Sequence, residues 1–280
     1  MAGVRPTDDS EADAGEPAPA SAARTLPPWV LGVVGFTGFL ALLEIVPRLG
    51  LVPARYLPPF SEIVLAFFGE VTGPEFWSAL GATMRGWALG LAIAFVGGVT
   101  FGILIGSSGW LHRFTASTVE FLRPIPSVAL IPLAVLLFGT DIRSKLLLVV
   151  YASFWQVLVQ VIYGVRDVDP VARDTALSFR FSRLARIRYV IWPTALPYMM
   201  TGFRLAAAVA LVLSVTAELV IGNPGLGREI AVAQSSGAVA NMYSYVLITG
   251  VIGVLVNLGA RFVERRLLSW HPSVRREATS

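Results

Sequence analysis

Cysteine is absent from the 280 residues, which excludes disulfides, thiol nucleophiles and Cys-ligated metal together. Lysine occurs once, at Lys145, and histidine twice, at His112 and His271. Two histidines so scattered offer no metal cluster. The lone lysine follows a serine, so the Gly-x-x-x-x-Gly-Lys-[Ser/Thr] phosphate cradle is missing. Only 14% of residues are charged, and no Ser/His/Asp set or carboxylate pair stands out among them. Covalent chemistry is therefore not expected of this chain, and any energy for uphill work must arrive from an ion gradient or an attached ATPase. The excess of 22 basic over 18 acidic residues is too modest to point to nucleic acid.

Apolar residues, in contrast, make up 55% of the chain, and the mean hydropathy is +0.69. A soluble domain of this size cannot hide that much apolar surface from water. Six runs approach or exceed the roughly 20 residues needed to cross a bilayer core. They cover about Trp29–Pro47, Thr83–Gly106, Phe114–Phe138, Leu146–Val165, Tyr198–Ile221 and Met242–Ala260. The expected fold is an all-α membrane protein, a polytopic bundle of six transmembrane helices spanning 26–265. Residues 1–25, rich in Ala, Pro, Asp and Glu without periodicity, read as a disordered tail rather than a signal peptide, and 266–280 as a second tail. An even number of spans puts both ends on one side. With the N-terminus inside, the inner segments hold fourteen arginines and the outer ones five basic residues, Lys145 among them, which predicts cytoplasmic termini.

Two spans depart from plain anchors. In the second, Gly86, Gly90, Ala94, Gly98, Gly102 and Gly106 recur every fourth residue, a small-residue seam that lets another helix approach closely. In the third, Glu120, Arg123, Pro124 and Pro126 fall within "STVEFLRPIP". Two prolines so close break a helix, and irregular backbone at membrane depth is tolerated where protein or water covers it. The break therefore reads either as part of a substrate route or as an interfacial kink with Arg123 reaching the lipid phosphates. Arg204 and Glu218 share the fifth span, about 21 Å apart along a helix, so each needs another partner. Glu218 lies either on a water-lined route or near the outer interface.

The stretch "RDVDPVARDTALSFRFSRLARIRYVIWPTALP", residues 166–197, concentrates six arginines and three aspartates. Asp169-Pro170 has the form of a helix start, with an N-cap acceptor and proline at the first position, and a short helix is expected from Pro170 to about Phe179. Ser182 can cap a second helix in which Leu184, Ile187 and Ile191 share a face, and Pro193 is expected to end it. Two capped helices joined near Arg180 fit a docking element for a soluble partner better than a basic loop lying on anionic lipid.

These residues resemble the membrane permease subunits of bacterial ABC importers that work with a solute-binding protein. The 166–197 loop looks like that family's cytoplasmic coupling loop, with Asp174, Thr175 and Ala176 at its Glu-Ala-Ala positions, Arg180 at its glycine and "VIWP" (190–193) at its close. More narrowly, "YLPPFSEI" (56–63), "LGATMRGWALG" (80–90), "FLRPIPSVALIPLAVLLFG" (121–139), "YGVRDVDP" (163–170), "LPYMMTGFRLA" (196–206), "AELV" (217–220) and "GNPGLG" (222–227) are similar to the branch importing nitrate, taurine and aliphatic sulfonates. The resemblance implies a bacterial inner-membrane permease without a cofactor of its own. Its implied partners are a second permease copy, two ATPase subunits that bind ATP and Mg, an extracytoplasmic solute-binding protein and the bilayer. The implied ATPase-coupling set is Asp169, Arg173, Asp174, Thr175, Ala176, Arg180, Ser182 and Pro193; the implied pathway set is Glu120, Arg123, Pro124, Pro126, Arg204 and Glu218. Arg180 in place of glycine, at a left-handed cost on the order of 1 kcal/mol, also suggests a specialised or weakly coupled member of a heteromeric pair. The competing reading, an ion-gradient transporter or channel, requires acid or histidine relays at mid-bilayer; a membrane-anchored scaffold requires neither a proline break nor a buried acid.

Overall fold

The computed structural model describes residues 27–269. The tail reading of 1–25, His271 and most of the C-terminal tail lie outside the described residues. Among the described residues the secondary structure is helical throughout. The helices are α1 (Pro28–Arg48), α2 (Phe60–Val71), α3 (Pro74–Ser107), α4 (Gly109–Leu122), α5 (Ile131–Phe138), α6 (Ile142–Arg166), α7 (Pro170–Ser178), α8 (Arg183–Arg186), α9 (Trp192–Ile221), α10 (Leu226–Ser235) and α11 (Val239–Leu267). Five helical stretches among the described residues are long and apolar enough to cross a membrane, and the pair Gly109–Leu122 and Ser127–Phe138, bent by 82°, passes the same test together, as a broken span or a re-entrant loop. The expected all-α polytopic bundle and the interruption of its third run therefore hold, with six spans where the bent pair counts as one and five otherwise. Two short helices at the end opposite the 166–197 loop, α2 and α10, were not anticipated, being too short to register as spans.

The bundle is organised around α6, which packs against α3 on one side and α9 on the other. The seam of small residues on α3 sets the first contact. A Cβ added to Gly86 would lie 2.5 Å from Lys145 Cε, to Gly90 2.4 Å from Val149 Cγ1, to Gly98 2.7 Å from Val157 Cβ, to Gly102 2.6 Å from Val161 Cβ and to Gly106 2.8 Å from Val165 Cβ. The offset between the two helices is the same at each contact, so α3 and α6 run parallel, and every fourth residue of α6 fills a notch left by a glycine. In lipid, where apolar surface gains nothing by avoiding its solvent, dispersion across such close contacts is a principal source of helix association. The second contact uses alanine instead: Ala195, Ala206, Ala207, Ala210 and Ala217 of α9 are buried in the core that holds Leu148, Val149, Val157 and Val161 of α6.

Pro193 does not end the second loop helix. The chain runs from Arg183 to Ile221 as one helical stretch, passing through a π-helical turn at Ile187–Ile191, with Pro193 in the first turn of α9 and Pro197 inside it. Proline lacks an N–H and crowds the carbonyl four residues back. The wider π turn ahead of it absorbs that crowding, so the helix continues where sequence reasoning expected it to stop.

Candidate functional site

The hairpin between α6 and α9 is built from local rules. Asp169 caps α7, its Oδ1 accepting from Val171 N at 2.8 Å, and Ser182 caps α8, its Oγ accepting from Ala185 N at 3.2 Å. Between them α7 closes in a two-bond left-handed turn: Phe181 N donates to Ala176 O and Arg180 N to Leu177 O, each at 2.9 Å. Arg180 occupies the left-handed position of that turn at φ 54°, where glycine is usual, and is the one non-glycine residue with positive φ among the described residues. The geometry that glycine would give is thus kept, at arginine's expense. Ala176 is buried under the turn, while Asp169, Arg173, Asp174, Thr175 and Ser182 are exposed; Thr175 Oγ1 donates to Val171 O within the helix. Pro193 is half-buried in the first turn of α9, away from the exposed hairpin.

Two features make the hairpin an outward-facing element on a rigid mount. The side chains of Arg173, Asp174, Arg180 and Arg183 form no ion pair or hydrogen bond within the described residues. Val171, Phe179 and Leu184 are 71%, 75% and 76% exposed beside them, a mixture of apolar surface and free charge suited to a protein partner. At the base, Tyr198 Oη donates to Asp167 Oδ2 at 2.7 Å, and Gly164 leaves room for the same tyrosine, since a Cβ there would lie 2.8 Å from Tyr198 Cβ. The end of α6 and the start of α9 are therefore strapped together where the hairpin leaves and re-enters the bundle.

The residues assigned to a route are not brought together. Glu120, Arg123, Pro124 and Pro126 lie at the break between α4 and α5 and are exposed on this chain. Arg204 joins α9 to α11 through Glu264 at 3.3 Å. Glu218 faces neither an open route nor an interface: it is fully buried at the end away from the hairpin, 2.8 Å from Lys145 Nζ. Its Oε2 accepts from Thr83 Oγ1 at 2.8 Å and Gly227 N at 3.1 Å, Thr83 Oγ1 accepts from Leu226 N at 2.9 Å, and Lys145 Nζ also donates to Ala82 O at 3.2 Å. The 222–227 turn wraps this knot so tightly that a Cβ on Gly225 would lie 2.1 Å from the Glu218 carboxyl carbon. Charge at this depth is tolerable because the ammonium and the carboxylate meet each other and are further hydrogen-bonded by Thr83, Ala82 and Gly227.

Lys145 is the functional-looking residue that sequence reasoning misplaced, as an outer-loop charge. It is 2% exposed. A signal was present: Lys145, Val149, Val157, Val161 and Val165 lie on one stripe of α6, opposite the glycines of α3. A second cluster, in which Asn241 and Tyr245 of α11 both donate to Glu70 of α2, joins residues too far apart in the chain to be paired from sequence.

The family model for the binding-protein-dependent transport system inner membrane component matches residues 98–269. The chain is similar to the putative aliphatic sulfonates transport permease protein SsuC of Bacillus subtilis, with 31% identity over 245 residues, 88% of this chain and 89% of that protein. It is also similar to the taurine transport system permease protein TauC of Escherichia coli, with 32% identity over 235 residues, 82% and 85% of the two chains. In fold alone it resembles a chain of the methionine ABC transporter MetNI in an inward-facing conformation, at a TM-score of 0.60 and 16% identity over 69% of this chain and 97% of that one.

Proposed function

The chain belongs to the family of binding-protein-dependent transport system inner membrane components, and from that premise we propose that it is the permease subunit of an ATP-driven importer for a small solute bearing an oxyanion group. An organic sulfonate such as taurine or an alkanesulfonate is the first candidate, the cargo for which two relatives are named, with nitrate the second. It works as one of two permease copies in the bacterial inner membrane, with both termini in the cytoplasm. Two separate ATPase chains bind ATP and Mg, and a solute-binding protein delivers cargo from the other side.

The observation that carries the reading is the hairpin: capped at both helices, strapped at its base, and presenting unpaired charge beside exposed apolar side chains. In this proposal Asp169 and Ser182 hold its shape, Ala176 and Arg180 set its turn, and Arg173, Asp174 and Thr175 meet the ATPase. Closure of the ATPases on ATP pushes the hairpin, and the continuous helix from Arg183 to Ile221 carries that push into the bundle. The broken span around Arg123 lines the route. Purifying the chain with its cognate ATPase tests the proposal: co-elution that disappears when residues 170–190 are deleted, with the bundle still folded, supports it. Transport at full rate in vesicles without any ATPase overturns it in favour of an ion-gradient carrier. Ligand binding by the cognate solute receptor identifies the cargo.

A further inference from the structure

A hydrogen bond fixes the depth of the break in the third span. Tyr151 Oη donates to Leu122 O at 2.6 Å, and Leu122, Tyr151 and Phe154 all pack against the buried cluster of Ile105, Trp155, Leu158 and Ile162. Phe154 is the middle residue of α6 (Ile142–Arg166), and Tyr151 precedes it by three residues, about 4.5 Å of rise. Adding about 9 Å for the tyrosine side chain and its hydrogen bond, Leu122 O lies within about 14 Å of the helix midpoint, inside the ~15 Å half-thickness of a bilayer core centred there. Arg123 is the next residue.

Several charged residues of the spans have partners, Glu44 with Arg48, Lys145 with Glu218 and Arg204 with Glu264; Arg85 of α3 is exposed and has none among the described residues, but it stands within unbroken helix. The side chains of Arg123 and Glu120 have none within the described residues, although they are one turn apart, and both are exposed on this chain. The backbone beside them is also irregular: Pro124 and Pro126 bring no N–H, and regular helix bonding resumes only with Ala129 N on Pro126 O at 2.9 Å. A free guanidinium and unpaired backbone at this depth are tolerated where they line a wet, protein-walled cavity.

We infer that the break lines such a cavity in the assembled importer and that Arg123 is its anion-binding residue, receiving the oxyanion group of the cargo during passage. This rests on the permease reading above and names the cargo-binding residue within it. The positive charge of the guanidinium is what attracts a sulfonate or nitrate, and its fork can add a second hydrogen bond. Glu120, one turn away, lowers the net charge there, so that an anion is held weakly enough to leave.

The absence of cysteine makes the test direct. The complete importer carrying Arg123→Cys is reconstituted in vesicles with its ATPase and binding protein, and uptake of taurine, an alkanesulfonate and nitrate is followed. Uptake is expected to fall at least tenfold, while stimulation of ATP hydrolysis by loaded binding protein stays within about twofold. A water-soluble aminoethyl thiosulfonate, which restores a positive charge, should recover uptake, a sulfonatoethyl reagent should not, and transported anion should slow the labelling of this chain. Normal uptake by Arg123→Cys overturns the inference. So does a thiol that water-soluble reagents cannot reach, the result expected of an arginine reaching lipid phosphates. Restored uptake in the exchange Arg123→Glu with Glu120→Arg overturns it too, since that marks a pair with Glu120 of the second copy. Loss of ATPase stimulation with the ATPase still bound assigns Arg123 to coupling and overturns it as well. If Arg123→Cys does not assemble, Arg123→Lys decides: a third or more of uptake retained supports the charge requirement, and abolished uptake in an assembled complex contradicts it. Failure of the permease reading itself is a separate result, uptake independent of ATPase in the unmodified protein.

Discussion

The two ends of the bundle treat charge in opposite ways. At one end Lys145 and Glu218 are sealed from solvent, and Thr83, Ala82 and the 222–227 turn meet their remaining hydrogen bonds. At the other, Arg173, Asp174, Arg180 and Arg183 stand exposed without a side-chain partner among the described residues. A satisfied buried pair holds helices in place and has nothing left to offer another molecule. A structured but unsatisfied surface has its binding capacity free. The first is architecture, and the second is where a partner is to be sought.

If this contrast is right, the sealed end should dominate stability. Lys145→Met leaves Glu218 buried without its counter-charge and is expected to cost about 3–5 kcal/mol, read as a large fall in the melting temperature of the detergent-solubilised protein. Adding Glu218→Met should recover most of that loss. A double variant no more stable than the single would show that the knot does not act as a pair. Next in size is the seam between α3 and α6. Gly98→Ala places a Cβ against Val157 and is expected to cost about 1–3 kcal/mol through overpacking, and trimming Val157 to alanine in the same chain should relieve part of it. Smaller still is the strap: Tyr198→Phe removes one hydrogen bond, about 1 kcal/mol, and should barely change melting while lowering transport per ATP hydrolysed. Smallest is Arg180→Gly, which relieves a left-handed arginine worth about 1 kcal/mol but loosens the unfolded chain in return. Its melting temperature should be unchanged or slightly higher, and α7 should keep its turn.

The parts of this fold that were legible in the sequence are those set by local chemistry. Span lengths follow from apolar runs, the break at Arg123–Pro126 from its prolines, and the caps at Asp169 and Ser182 from side chains that bond their own backbone. The spacing of glycines on α3 announced a close neighbour but could not say which helix; the partner became clear only with Lys145, Val149, Val157, Val161 and Val165 in register. What was illegible depends on distant pairing. Lys145 read as a loop charge because nothing local reveals that Glu218, 73 residues on, shares its pocket. Pro193 read as a stop because the rule for proline assumes α-helical spacing ahead of it, and a π turn changes that spacing. The helices α2 and α10 are short elements held by α11, α3 and α9, with no membrane-length run to mark them.

The measurement closest to the central claim is capture of the cognate ATPase by the purified chain, compared between the unmodified protein and Asp174→Lys. Asp174 is exposed and its side chain has no partner among the described residues, so this substitution should leave melting within about 0.5 kcal/mol of the parent. The hairpin account predicts that ATPase retention nevertheless falls at least tenfold. Undiminished retention, by Asp174→Lys and equally by a folded chain lacking residues 170–190, would contradict it.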